Sequence, residues 1–151
     1  MDNLRSGHNI GSLFRTADAI RAEKMFLCGS TLTPPNHKIT RASKGSEKWV
    51  PWEYALNAVD SLEKLKRSGV VIVSAELSET SVDYRSVIPG FPCCLVLGNE
   101  TKGVSTEVLS YSDYIVHIPM LGMQNSINVS VVAGILGLHF HAQHATKNLY
   151  L

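Results

Sequence analysis

Neither sign of charge dominates this 151-residue chain: 14 Lys and Arg stand against 13 Asp and Glu, a net charge of +1. Composition therefore neither demands nor excludes a nucleic-acid partner, and any basic footprint has to be local. No run approaches the ~18 consecutive apolar residues of a membrane span, and no basic-then-apolar leader opens the sequence. The three cysteines, Cys28, Cys93 and Cys94, form no CxxC pair. They suit buried thiols in a reducing compartment, so cytoplasm is the expected location. The phosphate-cradling GxxxxGK[ST] loop and the dinucleotide GxGxxG are both missing. So is the G-x-S-x-G elbow, which argues against a hydrolase built on Ser126 or Ser130. Internal repeats, low-complexity tracts and long linkers are absent too. At 44% hydrophobic, residues 1–151 read as one domain able to bury roughly two thirds of its unfolded surface.

What is present is a set of short apolar, β-branched runs bounded by Gly, Pro, Ser or Asn: Met25 to Cys28, Val70 to Ala75, Cys93 to Leu97 and Tyr114 to Ile118. Each reads as a buried strand. Leu56, Val59, Leu62 and Leu65 recur at helical spacing, Glu63 to Arg67 supply the wet face, and Gly69 is a plausible stop. Ser12 to Ile20 reads as a second helix, and Ser105 as the cap of a short one with Glu107 near its positive end. Val129 to Phe140 is apolar on nearly every side, the pattern of a helix buried all round, with Gly134 and Gly137 admitting another backbone. Thr31 to Pro51 shows no period and reads as an irregular loop, with Trp49, Trp52 and Tyr54 seating the crossover helix. "MDNL" resembles the last residues of a strand, either very short or trimmed. Strands alternating with helices predict an α/β fold with a mostly parallel sheet flanked by helices.

In such a sheet ligands bind beyond the carboxyl ends of the strands, and three segments fit. "LGNETKGVS" follows the Cys93 to Leu97 run; Gly98 and Gly103 let its backbone approach a ligand, and Glu100 offers a carboxylate. "IPMLGMQNSINVSVVAGILG" crowds Gln124, Asn125, Ser126 and Asn128 before an apolar helix. Helix capping by Ser126 or Asn128 explains one of these polar residues and leaves three. "HNIGSLFRTADA" carries Arg15 at the edge of an amphipathic helix. His139, His141 and His144 suggest a metal only superficially, because 139 and 141 point to different helix faces, so no metal is expected. Lys38, Arg41, Lys44 and Lys48 form the best local basic patch, for RNA backbone if functional.

Taken together, "HNIGSLFRTADA", "LVLGNETKGVS" and "IPMLGMQNSINVSVVAGILG" resemble, in order and spacing, the three motifs of the SpoU (TrmH-type) branch of the SPOUT superfamily of RNA ribose 2′-O-methyltransferases. The likeness runs from about Asp2 to Phe140. It implies a C-terminal trefoil knot, a homodimer and S-adenosyl-L-methionine as cofactor. It also implies transfer of a methyl group to a ribose 2′-hydroxyl in tRNA or rRNA. By the same resemblance Leu97, Gly98, Asn99, Glu100, Gly103, Ile118, Met120, Gly122, Ile127 and Val129 hold the cofactor. Asn9, Arg15, Glu100, Ser126 and Asn128 fall on the catalytic positions. A guanidinium does not deprotonate in proteins, so Arg15 is expected to clamp a phosphate and stabilise the developing alkoxide rather than act as a base. Glu100 is expected to organise the cofactor loop. The alternative is a catalytically silent RNA-binding or assembly protein on the same scaffold.

Overall fold

Buried apolar strands need both faces covered, and each pairing between the strands of this chain is parallel. The computed structural model describes residues 1–148. Its strands are β1 (Met25–Cys28), β2 (Trp52–Ala55), β3 (Val71–Ala75), β4 (Val82–Asp83), β5 (Cys93–Leu97) and β6 (Tyr114–His117). One sheet has the order β4-β6-β3-β5, and β1 and β2 form a separate pair. The opening residues lie between the two. Asp2 bridges in parallel to Cys28, its N–H donates to Leu97 O at 2.8 Å, and Cys28 N–H donates to Met1 O at 3.0 Å. The expected "MDNL" strand is thus a single bridge that links the two sheets.

The helices are α1 (Gly7–Ala19), α2 (His37–Ser43), α3 (Ala58–Arg67), α4 (Thr106–Leu109) and α5 (Val129–Asn148). α1 begins five residues before the expected Ser12, where Ser6 Oγ accepts from Asn9 N–H. Ile10, Leu13, Phe14 and Ala17 line its inner stripe and pack against Leu4, Leu27, Ile39 and Leu97. Thr31 to Pro51 is not an irregular loop. Asn36 Oδ1 accepts from Lys38 and Ile39 N–H to start α2, and Lys44 and Gly45, at φ 55° and 100°, end it before a 3-10 turn over Ser46–Lys48. α2 lies very close to α1: a Cβ at Gly11 would sit 2.6 Å from both Ala42 Cβ and Ile39 O. The glycine of the first motif therefore serves helix packing.

Other expectations change as well. α5 is not buried all round: Val131 and Leu138, seven residues apart, are about half exposed. Gly137 faces the side chains of Ile20 and Thr16, and Gly134 has open space where a Cβ would stand, so within this chain neither packs against another backbone. Ser105 precedes α4 without a side-chain cap bond; the buried Asp2 carboxylate accepts from Ser105 N–H at 3.0 Å instead. Trp52 belongs to a strand and packs on the α1 core, whereas Trp49 donates to Asp18 and Tyr54 to Gly29 O, both largely exposed. Leu56 lies outside α3 and in solvent; α3 seats through Ala58 and Leu62.

Candidate functional site

β3, β5 and β6 all end on the same side of the sheet, as parallel strands must, and their following loops meet the start of α1 and residues 125–129 around a cleft of about 580 Å³. Along its rim runs a chain of hydrogen bonds between residues remote in sequence. Asn128 Nδ2 donates to Asn9 Oδ1 at 3.0 Å, and Asn9 Nδ2 donates to Glu100 Oε1 at 3.1 Å. The Glu100 carboxylate also accepts from Ser6 N–H at 3.0 Å and Arg5 N–H at 3.1 Å. Glu100 thus ties the entry of α1 to the β5–α4 loop. Partial burial pushes its pKa up, but the bonds from Arg5, Asn9 and Ser6, with its own backbone N–H, outweigh that and leave it below the ordinary carboxylate value. An ionised carboxylate with its lone pairs already engaged is a poor proton acceptor at neutral pH.

The β5–α4 loop closes on itself. Asn99 and Gly103 exchange two backbone bonds of 2.9 Å, while Asn99 Oδ1 accepts from Thr101 and Lys102 N–H and its Nδ2 donates to Asn3 O. A Cβ at Gly98 would lie 2.1 Å from Gly103 C, and one at Gly103, where φ is +70°, would lie 2.1 Å from Glu76 Oε2. The two glycines therefore admit the loop's own backbone and a carboxylate, where the sequence suggested an approaching ligand. Asn128 does cap α5: its Oδ1 accepts from Ser130 N–H and Oγ. It uses its amide nitrogen for Asn9 at the same time, so capping and site formation are one arrangement.

Leu97, Gly98, Asn99, Glu100, Gly103, Ile118, Met120, Ile127 and Val129 line the cleft together with Asn9, Ser126 and Asn128. Gly122 and Arg15 do not. Gly122 sits in the turn whose neighbours Leu121 and Met123 are almost wholly exposed. Arg15 points into solvent from α1. Lys38, Arg41, Lys44 and Lys48 are all exposed, on α2 and the turn after it. Among the described residues, no group of three or more His, Cys, Asp or Glu side chains is placed to hold a metal ion.

Sequence reasoning missed Glu76, Leu77 and His117, which also line the cleft. Glu76 Oε2 accepts from Val104 N–H at 2.7 Å and Oε1 from Leu77 N–H. Their one signal was position: each stands at or just beyond the end of a strand, where a parallel sheet places its ligands.

The model of the SpoU rRNA Methylase family matches residues 1–138. The tRNA (guanosine(18)-2'-O)-methyltransferase of Aquifex aeolicus is 37% identical over 150 residues, 99% of this chain and 70% of that protein. The crystal structure of the A. aeolicus TrmH/SpoU tRNA modifying enzyme superposes with a TM-score of 0.87 at 36% identity, over 99% of this chain and 75% of that one. An AdoMet-bound rRNA methyltransferase from Sinorhizobium meliloti superposes with a TM-score of 0.86 at 32% identity, over 95% of this chain and 54% of that one. The chain thus spans between about half and three quarters of the length of these relatives. With the family match covering almost all of its length and the relatives' fold reproduced, the chain belongs to the SpoU rRNA methylase family.

Proposed function

We propose that the protein transfers a methyl group from S-adenosyl-L-methionine to a ribose 2′-hydroxyl of tRNA or rRNA. The observation that carries the reading is the Asn128–Asn9–Glu100 hydrogen-bond chain, which draws one residue from each of the three motif segments to the rim of a single cleft. The cofactor supplies a methyl group activated on a sulfonium. It fits the residues present: a cleft with apolar walls from Leu77, Leu97, Ile118, Ile127 and Val132, and polar atoms concentrated at one rim. Leu97, Gly98, Asn99, Gly103, Ile118, Met120, Ile127 and Val129 are read as its holders, largely through backbone groups, with Gly122 shaping the turn beside them.

The chain's own residues position the two reactants, worth ~7–11 kcal/mol when attack geometry is held. Glu100, ionised and engaged by its donors, holds the cofactor loop against α1. Ser126 and Asn128 face the RNA, Ser126 toward a phosphate. Arg15 stays charged, clamps the phosphate beside the target ribose and stabilises the developing alkoxide, the proton passing to phosphate or water. Its place outside the cleft of its own chain is the reason to assign it to the site of a second copy. The exposed side chains of Leu121 and Met123 in one turn, and of Val131 and Leu138 seven residues apart on α5, support such a homodimer by offering apolar surface to a partner. Lys38, Arg41, Lys44 and Lys48 extend the RNA footprint. The trefoil knot is carried over from the likeness to the family; the insertion of β6, the last strand in sequence, between β3 and β4 accords with it. The compartment is read as cytoplasm from three cysteines that remain thiols.

Two measurements test this. Calorimetry should show S-adenosylmethionine binding, and mass spectrometric mapping of tRNA and rRNA incubated with the protein should show a new 2′-O-methylated nucleotide. Arg15→Lys, which keeps the charge but loses the planar two-point fork, should cut turnover about 10-fold or more while leaving cofactor affinity unchanged. RNA binding without cofactor binding would point to the silent scaffold instead.

A further inference from the structure

The titratable side chains lining the cleft are Glu76, Glu100 and His117. Both carboxylates are committed to backbone N–H groups, Glu100 also to Asn9. His117 is different: its partner is a side chain. Its Nδ1 lies 2.9 Å from Ser81 Oγ. Ser81 Oγ also accepts from Ser78 N–H at 3.0 Å and donates to Ser78 O at 2.8 Å. With the hydroxyl proton spent on a carbonyl, Oγ can only accept from the ring, so Nδ1 carries the hydrogen. Asp83, level with His117 on the neighbouring strand, does not compete, because its carboxylate is taken up by Arg85.

This bond closes a strap. Residues 76–81 leave β3 and return to β4: at one end Glu76 accepts from Val104 N–H and its own N–H donates to Val116 O, and at the other the Ser81–His117 bond reinforces the two-residue ladder of Val82 and Asp83 with Val116 and His117. Between the ties stands Leu77, a cleft-lining side chain that is 59% exposed. A short strap whose far end is held only by a two-residue ladder pairing is ordered less firmly, and whatever ordering a ligand must then complete is subtracted from affinity.

We infer that the Ser81–His117 pair is a positioning clasp, which holds the Glu76–Leu77 wall in place and so sets the affinity of the cleft for its adenosyl cofactor. The inference rests on the cofactor reading above. It is tested on the full chain by calorimetric titration with S-adenosylhomocysteine, alongside amide hydrogen exchange across residues 77–81 in the unliganded protein. His117→Ala should weaken binding about 5–10-fold, the loss of one hydrogen bond, and Ser81→Ala at least as much, because it also removes the two Oγ bonds to Ser78. The double variant should be no weaker than Ser81→Ala alone, because that variant has already removed the bond His117 makes. His117→Asn, whose amide N–H can donate from about the Nδ1 position, should stay within about 2-fold of the wild type, a rescue that loss of ring packing alone would not give. Exchange at 77–81 should quicken in both alanine variants and melting temperatures should scarcely move. Unchanged affinity in the alanine variants, additive losses, unchanged exchange, or His117→Asn as weak as His117→Ala each overturns the clasp. A wild-type chain that binds no S-adenosylhomocysteine overturns the cofactor reading and the clasp's effect on affinity together; variants unaltered beside a binding wild type overturn the clasp alone.

Discussion

Gly98→Ala probes the β5–α4 loop most directly. The added Cβ would lie 2.1 Å from Gly103 C and 2.2 Å from Val104 N, and both obstacles are backbone, so no rotamer change can clear them. Ordinary carbon contact needs about 3.5 Å, which requires the strand end or the loop to move by more than an ångström. That displacement pulls on the paired bonds between Asn99 and Gly103 and on the Val104 N–H bond to Glu76. Losing two or three bonds at about 1 kcal/mol each, with some residual strain, gives about 2–4 kcal/mol. For a domain of this size the melting temperature should fall by roughly 5–15 °C. Because the displaced atoms line the cleft, affinity for S-adenosylhomocysteine should fall at least ~10-fold. Differential scanning calorimetry and isothermal titration read the two effects. A variant that melts within about 2 °C of the wild type and binds as tightly would refute the claim that Gly98 is required by the loop's own backbone.

Two further outcomes follow from the same geometry. Leu121 and Met123 are 99% and 97% exposed, so Met123→Asp should leave the melting of the isolated chain unchanged yet drive a dimer toward monomer in sedimentation equilibrium; a variant still dimeric at micromolar concentration would take this turn out of the interface. Glu100 has a folded pKa below its reference of 4.5, so the fold favours its ionised form. The stabilisation is therefore complete above about pH 4.5 and is lost as pH falls through the folded value. Glu100→Gln should be less stable than the wild type at pH 7, and the gap should narrow as pH falls below 4.5. A gap independent of pH would show that charge is not what holds this contact.

The runs Met25–Cys28 and Cys93–Leu97 were legible to the residue because a buried parallel strand has to be apolar on both faces. α2 was not. It is seven residues long, its inner side is mainly Ile39 and Ser43, and Pro34, Pro35 and Gly45 around it read as loop. Its existence depends on Gly7 and Gly11 of α1 letting it dock, a tertiary fact. α5 shows the opposite limit: an apolar helix reads as core, and nothing in its periodicity distinguishes Leu136, fully buried, from Val131 and Leu138, which are not. The motif segments located Asn9, Glu100, Ser126 and Asn128 at one cleft, while Arg15, on the same helix as Asn9, stayed outside it. Asp2 and Glu76 were invisible because each acts by accepting backbone N–H groups of a loop far along the chain.

Asn9 shows why the site can assemble in only one way. The Glu100 carboxylate can only accept, so the Asn9 amide must turn its nitrogen toward it, and its oxygen is then left to accept from Asn128. An aspartate at this position would set two carboxylates against each other, and a leucine of similar size would leave Asn128 without its acceptor. The partners lie 91 and 119 residues away, so the first bond needs α1 docked against the β5–α4 loop and the second needs the start of α5 laid beside α1. The cleft is therefore not a pocket in a finished scaffold to which polar groups were added. Its polar rim is part of what fastens α1 to the two late loops, and loosening α1, for instance through the close contact at Gly11, must loosen the rim with it.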